Sequence, residues 1–304
     1  MHHAFRRVCG SLILAACIAE AAAAAPAQAN LSAAEVVKKN VAARGGLEAW
    51  RAVQTMSLSG KTAAGGNQRA TLQMPTEGQA SVVTRKPDQP ALPSRRVEEV
   101  YLPFVMELER PRKMRFELQF AGQTALQVYD GVNGWKLRPY LNRLEVEPYT
   151  ADEVKAASVS SDLDGPLIDY AAKGTRVESD GIEKVEGRDT YKLKLTLKGG
   201  AVTHVWVDAQ TFLETKLEGQ PRRLDGVYHP VEVYYSDYRN VDGLKIPFLL
   251  ETRVLPVTKT ATGLRDTPVP PEKTLIEKVE INPKLDAGLF SKPVVPAQSA
   301  ARKG

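Results

Sequence analysis

Few side chains in this chain have the types and the spacing that catalysis or metal binding requires. Beyond the first three residues the histidines are His204 and His229, and neither lies in a spacing typical of metal ligands. We interpret each as a histidine of a strand or of the surface. No G-x-S-x-G motif surrounds a serine, and no glycine-rich segment matches a phosphate-binding loop. The sequence therefore predicts no catalytic residue, no metal site and no cofactor.

Three acids, Asp162, Asp164 and Asp169, lie close together in the middle of the chain. They are near a predicted helix start, where the helix dipole favours negative charge. They lack the full pattern of a dedicated calcium loop. Because the separation of two carboxylates depends on the fold, sequence alone does not decide whether they form a hydrolytic pair. A hydrolase that uses Asp162 and Asp164 is therefore our third hypothesis.

The charge of the chain does not point to a nucleic acid. The net charge is +5 over 304 residues, and the composition is that of an ordinary globular protein. Two basic pairs, at residues 85–86 and 95–96, are separated by a proline-rich stretch without interleaved aromatic residues. This pattern is typical of a solvated loop, and we predict no nucleic-acid partner.

The first residues have the features of an export signal. Arg6 and Arg7 form a basic region, and residues 8–16 form a short apolar core. Two processing signals follow: Ala27-Gln28-Ala29, a small-x-small site, and Leu14-Ala15-Ala16-Cys17, which resembles a lipobox. We predict a signal peptide over residues 1–29 and a periplasmic location. A chain anchored by an acylated Cys17 and facing the periplasm is the alternative.

The positions of the two cysteines predict a mature chain without disulfide or thiol chemistry. Both cysteines, Cys9 and Cys17, precede Asn30. A chain that starts at Asn30 would have no disulfide, no thiol nucleophile and no cysteine-based metal site. The apolar core is too short for a permanent membrane span. We predict a single domain over residues 30–293 and a disordered tail over residues 294–304.

The residues that could bind a guest are apolar, and strands must position them. The run from Arg112 to Trp135 predicts an antiparallel hairpin, because its apolar and polar residues alternate with a period of two. Turns are predicted at Ala121-Gly122 and Asp130-Gly131. On this reading the apolar face is formed by the alternate residues of both strands: Met114, Phe116, Leu118, Phe120, Leu126 and Val128.

Helices are predicted at the start of the chain and in its middle. Ser32 and Glu35 form a capping box for the first helix, and a short second helix follows Gly45-Gly46. Thr150 with Glu153 begins a helical turn or two, and Asp164-Gly165-Pro166 is predicted to start a further helix that ends at Gly174. The fold class is α+β and mainly β, a curved antiparallel sheet or incomplete barrel whose concave face the helices cover as a lid.

The apolar face of the predicted sheet is wider than its few helices can cover. Four methionines (Met56, Met74, Met106 and Met114) are in phase on strands, and flexible, polarizable methionine suits a surface that accepts varied guests. Periodicity alone favours an ordinary packed core over a cavity.

The order of several short motifs resembles the outer-membrane lipoprotein-sorting family, the LolA/LolB-like proteins. The motifs begin with Arg110-Pro111 before Arg115, and Asp130-Gly131 before Trp135 and Pro139. A larger periplasmic branch of that family is more similar still. That likeness is carried by residues 43–50, 162–167, 235–239, Ile281-Asn282-Pro283 and Leu289-Phe290. The resemblance covers about residues 31–293. The chain is longer than the family's carriers, with an extra proline-rich loop at residues 86–96.

The resemblance implies a half-barrel around an apolar cavity that shields acyl chains, with helices as a lid. It implies a carrier or binding protein for acyl chains of lipoproteins or other lipids, without enzymatic activity, and a possible inner- or outer-membrane protein partner. A non-enzymatic structural or sensory module that docks a protein partner is the alternative. The lid residues would be Leu167, Tyr170 and Arg110, of which Arg110 matches the family arginine that holds the lid closed. The predicted cavity residues are Met56, Leu58, Leu72, Met74, Leu102, Phe104, Met106, Met114, Phe116, Leu118, Leu193 and Leu195.

Overall fold

The computed structural model of the chain describes residues 31–64, 100–224, 227–257 and 269–294. The described residues form one compact unit. The predicted signal peptide, the proline-rich loop, the tail from residue 295 onward, and the predicted cavity residues Leu72 and Met74 lie outside the described ranges. The remaining predictions can be compared with the structure.

Three α-helices are present in the described ranges: α1 (Ala33–Ala43), α2 (Leu47–Ala52) and α3 (Ala151–Ser160). Ser32 and Glu35 form the predicted capping box of α1, and Thr150 and Glu153 form another at α3. These two helix starts are confirmed. One 3-10 turn, Pro139–Leu141, joins two strands.

Thirteen strands in the described ranges form one antiparallel sheet. They are β1 (Thr55–Ala64), β2 (Val100–Glu109), β3 (Lys113–Phe120), β4 (Gln123–Tyr129), β5 (Gly134–Arg138), β6 (Arg143–Pro148), β7 (Arg176–Val185), β8 (Arg188–Thr196), β9 (Val202–Asp208), β10 (Glu214–Leu224), β11 (Val227–Val241), β12 (Leu244–Val254) and β13 (Glu272–Ile281).

The sheet is curved and open, as the sequence predicts. Its strand order is β6-β5-β4-β3-β2-β1-β13-β12-β11-β10-β9-β8-β7, so nearly all strands lie beside their neighbours in sequence. The exception is the pair β6 and β7, which are not adjacent, and the pairing of β1 with β13 joins the two halves of the chain. β6 and β7 are the two edges, and the sheet does not close into a barrel. The predicted mainly-β fold class is confirmed.

Neither β7 nor β10 shows apolar alternation, so the sequence pattern does not predict a strand at either position. β7 is an edge strand whose side chains are mostly exposed. β10 places Glu214 and Lys216 in buried positions, where each is held by an ion pair. A strand whose buried positions are charged has no apolar period for a sequence pattern to detect.

The register of the β3–β4 hairpin corrects the predicted apolar face. The two-residue turn at Ala121-Gly122 pairs Phe120 with Gln123, and the register then continues in single steps along both strands. Leu126 and Val128 consequently lie opposite Glu117 and Arg115, on the face away from the helices. A shift of one residue moves every side chain of a strand to the other face, and that is the error here. The inner face, which the helices cover, instead receives Ala125, Gln127 and Tyr129 from β4.

The helix predicted to start at Asp164-Gly165-Pro166 is wrong. Residues 161–174 form consecutive turns and bends. Gly165 and Asp169 have positive φ angles of 77° and 51°, which are incompatible with a right-handed helix. The side chain of Asp164 accepts hydrogen bonds from Arg110 and Lys173 and so does not cap a helix.

Two groups of buried apolar side chains fill the space between the sheet and the helices. The first includes Trp50 on α2, Ala157 on α3 and inward residues of β1 to β4, β12 and β13. The second includes Val36 and Val37 on α1, Leu167, and inward residues of β8 and β9. Val41 of α1 packs against both groups, so α1 links the two halves of the interior.

Candidate functional site

A cavity of about 340 Å³ lies between the inner face of β3, β4 and β5 and the helix α3. This volume is near the lower end of the range of about 300–1,000 Å³ that is typical of small-molecule sites. It corresponds to roughly eleven water molecules of about 30 Å³ each. A cavity of this size suits one extended chain rather than a multi-chain lipid.

One wall of the cavity is apolar. Met114, Phe116 and Leu118 project from alternate positions of β3, and Ala125 lies opposite Leu118 on β4. The ring of Phe116 stacks on that of Phe104, with 5.7 Å between the ring centroids. This stacking fixes the position of the Phe116 ring against the neighbouring strand.

The helix α3 leaves the cavity open because its lining residues are small. Ala156, Ala157 and Ser160 are the residues of α3 that line the cavity beside Glu153. Short side chains at these positions cannot reach the strands opposite. The helix therefore covers the inner face of the sheet without filling the space beneath it.

The other wall of the cavity is polar. Gln127, Lys136 and Arg138 line it, together with Tyr149 and Glu153. The β4–β5 register pairs Gln127 with Lys136, so these residues share the inner face with Phe116. The alternation of Trp135 and Leu137 with Lys136 and Arg138 would place the two cations outward if the apolar residues faced inward. The inward position of Lys136 and Arg138 follows from the sequence when the strand register is counted through the two turns.

An ion pair joins the polar wall to the helix. Lys136 Nζ donates to Glu153 Oε2 over 2.6 Å, and Lys136 is buried although it is charged. Burial by itself raises the pKa of Glu153, but the hydrogen bonds from Lys136 and Thr150 outweigh it and leave the pKa below its usual value. Glu153 therefore has two roles, since it also completes the capping box of α3.

Two hydrogen-bonding atoms at this wall have no partner among the described residues. They are the hydroxyl oxygen of Tyr149 and Nε of Arg138, and both are buried. Arg138 uses Nη2 to contact Glu147. Burial, with the nearby charge of Glu153, raises the pKa of Tyr149 well above its usual value, so the hydroxyl keeps its proton. The Tyr149 ring packs against Gly134, where an added Cβ would lie 2.0 Å from Tyr149 Cδ2.

The structure places the described predicted cavity residues in four different environments. Met114, Phe116 and Leu118 line the cavity. Met56, Leu58, Phe104 and Met106 belong to the same apolar group on the adjoining strands. Leu102 is half-buried and lies in neither apolar group. The remaining described residues, Leu193 and Leu195, are fully buried in the second group, as is Leu167, with Tyr170 packed against it.

Arg110 occupies the junction between the sheet, α2 and the segment 161–174. Its Nε donates to the carbonyl of Val53 over 2.7 Å, and its Nη2 donates to the carbonyl of Trp50 over 3.0 Å. Nη2 also donates to Asp164 Oδ2 over 2.6 Å. Arg110 thus bonds to the end of α2 and to the segment after α3, and it does not contact α3 itself in any of these bonds.

A second arginine, the buried Arg44 at the C-terminal end of α1, binds the same segment. Arg44 Nη1 donates to the carbonyl of Asp164 over 2.9 Å and to Glu214 Oε1 over 3.1 Å. The Arg44 guanidinium lies over the Trp50 ring, 4.4 Å from its centroid. Arg44 and Arg110 together fix residue 164 to α1, α2 and two strands. The sequence offered no spacing signal for this arrangement, because its members come from distant parts of the chain.

The three central acids are bound by basic side chains. Lys173 Nζ lies 2.9 Å from Asp162 Oδ2 and also contacts Asp164, whose other oxygen binds Arg110. Arg51 Nε donates to Asp169 Oδ2 over 2.9 Å. Across the described ranges, no group of three histidine, cysteine or acidic residues is arranged to hold a metal ion.

Comparisons with known proteins give structural likeness and no sequence match. No family model matches the chain, and no curated protein matches it. The chain is similar to a LolA superfamily protein from Nitrosomonas europaea, with 12% identity, a TM-score of 0.49, and coverage of 86% of this chain and 98% of that one. It is also similar to a putative outer membrane lipoprotein-sorting protein domain from Vibrio parahaemolyticus, with 12% identity, a TM-score of 0.47, and coverage of 85% and 95%.

A third similar structure is a DUF1329 family protein from Desulfovibrio piger. It is 13% identical to this chain, with a TM-score of 0.48, and the alignment covers 85% of this chain and 96% of that one. Two of the three neighbours carry the name of the group that the sequence motifs resemble. At TM-scores below 0.5, neither family membership nor function follows from these likenesses. In the described ranges, no helix has the length and apolarity needed to cross a membrane.

Proposed function

We propose that this protein is a non-enzymatic carrier or binding protein for the acyl chain of a lipoprotein or another lipid. The observation that carries the proposal is the cavity of about 340 Å³ beneath α3, with its apolar wall of Met114, Phe116, Leu118 and Ala125. Burial of an acyl chain contributes about 0.8 kcal/mol per methylene group, so ten methylene groups supply about 8 kcal/mol before the costs of binding. Apolar contact alone therefore supplies enough driving force.

The proposal includes export to the periplasm through residues 1–29, and a membrane protein as donor or acceptor of the cargo. Reversible binding requires that the cover moves. The helix α3 is joined to the sheet at the cavity by the Lys136–Glu153 ion pair and by few large apolar side chains. Closure of α3 over an empty cavity then competes with the guest, which limits the affinity and permits release.

Substitution of Phe116 by glutamate tests the proposal. A carboxylate on the apolar wall would have to be desolvated beside an acyl chain, so we expect Phe116→Glu to abolish co-purifying lipid. Mass spectrometry of the full chain purified from its native envelope measures this lipid. Val202→Glu is the matched control, because Val202 is an exposed strand residue and its substitution by glutamate should leave bound lipid unchanged.

The outcomes separate the proposal from its alternatives. Equal lipid in Phe116→Glu and in the native chain would contradict the cavity assignment. Absence of lipid from the native chain would favour a structural or sensory module that docks a protein partner. A hydrolytic activity that is lost in Asp162→Asn and Asp164→Asn would favour the hydrolase.

A further inference from the structure

The polar wall of the cavity is unusual for a site that only shields an acyl chain. Tyr149 and Arg138 line this wall, and each has a buried donor atom that a purely apolar guest would leave without a hydrogen-bond acceptor. A buried donor without a partner destabilises the fold, so two such donors at one wall favour a guest that accepts hydrogen bonds from them. The hydroxyl of Tyr149 and Nε of Arg138 are both buried donors of this kind within the described part of the chain.

The charges around these two donors sum to a small positive excess. Lys136 is neutralised by Glu153. Glu147 is shared by two arginines, since it contacts Arg138 and lies 3.2 Å from Arg143 Nη1. The five groups therefore carry three positive and two negative charges. One further negative charge near Arg138 would balance them.

We propose that the polar end of the cavity binds the oxyanion head of a single-chain lipid, through the Tyr149 hydroxyl and Arg138 Nε. This inference rests on the proposed function and specifies its ligand. The chain lies along the wall of Met114, Phe116 and Leu118, and the head lies at Tyr149 and Arg138, whose side chains line the same cavity. The cavity of about 340 Å³ would hold the single acyl chain of this lipid.

Two features hold the donors ready for such a head. Gly134 leaves the space that the Tyr149 ring occupies, and the Tyr149 backbone N–H donates to the Gly134 carbonyl over 2.8 Å. The contact with Glu147 uses Nη2 and orients the Arg138 guanidinium, while Nε has no partner among the described residues. Donors fixed before binding lose little conformational entropy when the ligand arrives.

Titration of the delipidated full chain with three ligands of equal chain length tests the inference. The ligands are hexadecanoate, its methyl ester, and the lysophosphatidic acid with the same acyl chain, and calorimetry measures their affinities. We expect at least one of the two anions to bind about tenfold or more tightly than the ester, because hydrogen bonds to charged groups are the strong ones. The preferred anion identifies a carboxylate or a phosphate as the natural head.

Variants at the two donors complete the test. Tyr149→Phe keeps the ring and removes the hydroxyl, and Arg138→Lys keeps the charge and removes Nε. Each should weaken binding of the preferred anion about tenfold and change binding of the ester much less. Tyr228→Phe, at an exposed tyrosine of β11, is the matched control and should change neither.

Failure of the inference differs from failure of the proposed function. If ester and anions bind equally and neither donor variant affects them, the head site is overturned while the acyl-chain carrier stands. If none of the three ligands binds the native chain, the proposed function falls together with this inference.

Discussion

At the scale of single residues, the two neighbouring carboxylates Asp162 and Asp164 have opposite electrostatic roles. Burial alone would raise the pKa of Asp164, but Lys173 and Arg110 outweigh it and hold the pKa below its usual value. Burial raises the pKa of Asp162, and the ion pair with Lys173 only partly offsets that rise. The fold therefore stabilises the charge on Asp164 and disfavours the charge on Asp162.

The opposite pKa shifts of Asp162 and Asp164 predict that substitution by asparagine has unequal effects on stability at the two positions. Asp164→Asn leaves Arg110 and Lys173 without their shared carboxylate and should lower the free energy of unfolding at pH 7 by about 3 kcal/mol. Asp162→Asn removes a charge that the fold disfavours, so it should cost much less or stabilise slightly. Urea unfolding measures both variants, and an equal loss in the two would contradict the assigned roles.

The pH dependence of the same pair follows from the direction of the shift. Because the folded pKa of Asp164 is below the unfolded value of 3.8, its contribution is present above pH 3.8. It is lost as the pH falls through the folded pKa. The stability difference between the native chain and Asp164→Asn should therefore shrink below about pH 4. A difference that stays constant down to pH 2.5 would show that Asp164 acts through packing and not through charge.

At the scale of the elements, a local capping box fixes the start of α3, and the helix covers the cavity without packing tightly against it. Thr150 Oγ1 accepts from the N–H of Glu153, and Glu153 Oε2 accepts from the N–H of Thr150. The helix packs against the first apolar group through Ala157, its one buried residue, and through the half-buried Val154. A capping box therefore supplies a larger share of the stability of α3 than it does for a well-packed helix.

We expect Thr150→Ala to destabilise α3 by about 1 kcal/mol and to speed release of a bound fluorescent acyl chain by up to about fivefold. Stopped-flow fluorescence measures release, and hydrogen exchange measures protection of residues 151–160. Ser32→Ala is the matched control, because it removes the same type of cap from α1, which does not line the cavity. If both variants release the guest equally fast, α3 has no specific role as a cover.

At the scale of the whole molecule, the two apolar groups belong to one sheet and are connected by α1. Val41 packs against both, and in the sheet β11 and β10 connect β12 of the first group to β9 of the second. Arg44 adds a polar link, since it binds both Glu214 on β10 and the carbonyl of Asp164. The described chain is therefore expected to unfold as one cooperative unit.

Leu193→Ala tests this cooperativity from the half of the sheet opposite to the cavity. Leu193 is fully buried, so its truncation should lower the free energy of unfolding by about 2–5 kcal/mol. The urea transitions followed by tryptophan fluorescence and by far-UV circular dichroism should coincide. Two separated transitions would show that the halves unfold independently. Lipid affinity of the same variant distinguishes a packing residue from the guest-binding residue that the sequence predicts.

Local interactions are what the sequence by itself determined. The strands β1 to β3 follow from a side-chain period of two, and both capping boxes follow from residues three apart, so each was readable within a short window. The sequence also predicted that the sheet is antiparallel and that one of its faces is wide and apolar.

Tertiary structure alone decided which residues meet inside. The register set by two turns moved Leu126 outward and brought Lys136 and Arg138 to the cavity, which a period-two pattern in one strand cannot reveal. Asp164 binds Arg110 and Lys173 instead of starting a helix, because its partners approach from other parts of the chain. The apolar face of the sheet is compatible with either a packed core or a cavity. The small residues on α3 decided for a cavity. The physical reason is that local patterns set which face a side chain prefers, whereas packing sets what stands opposite it.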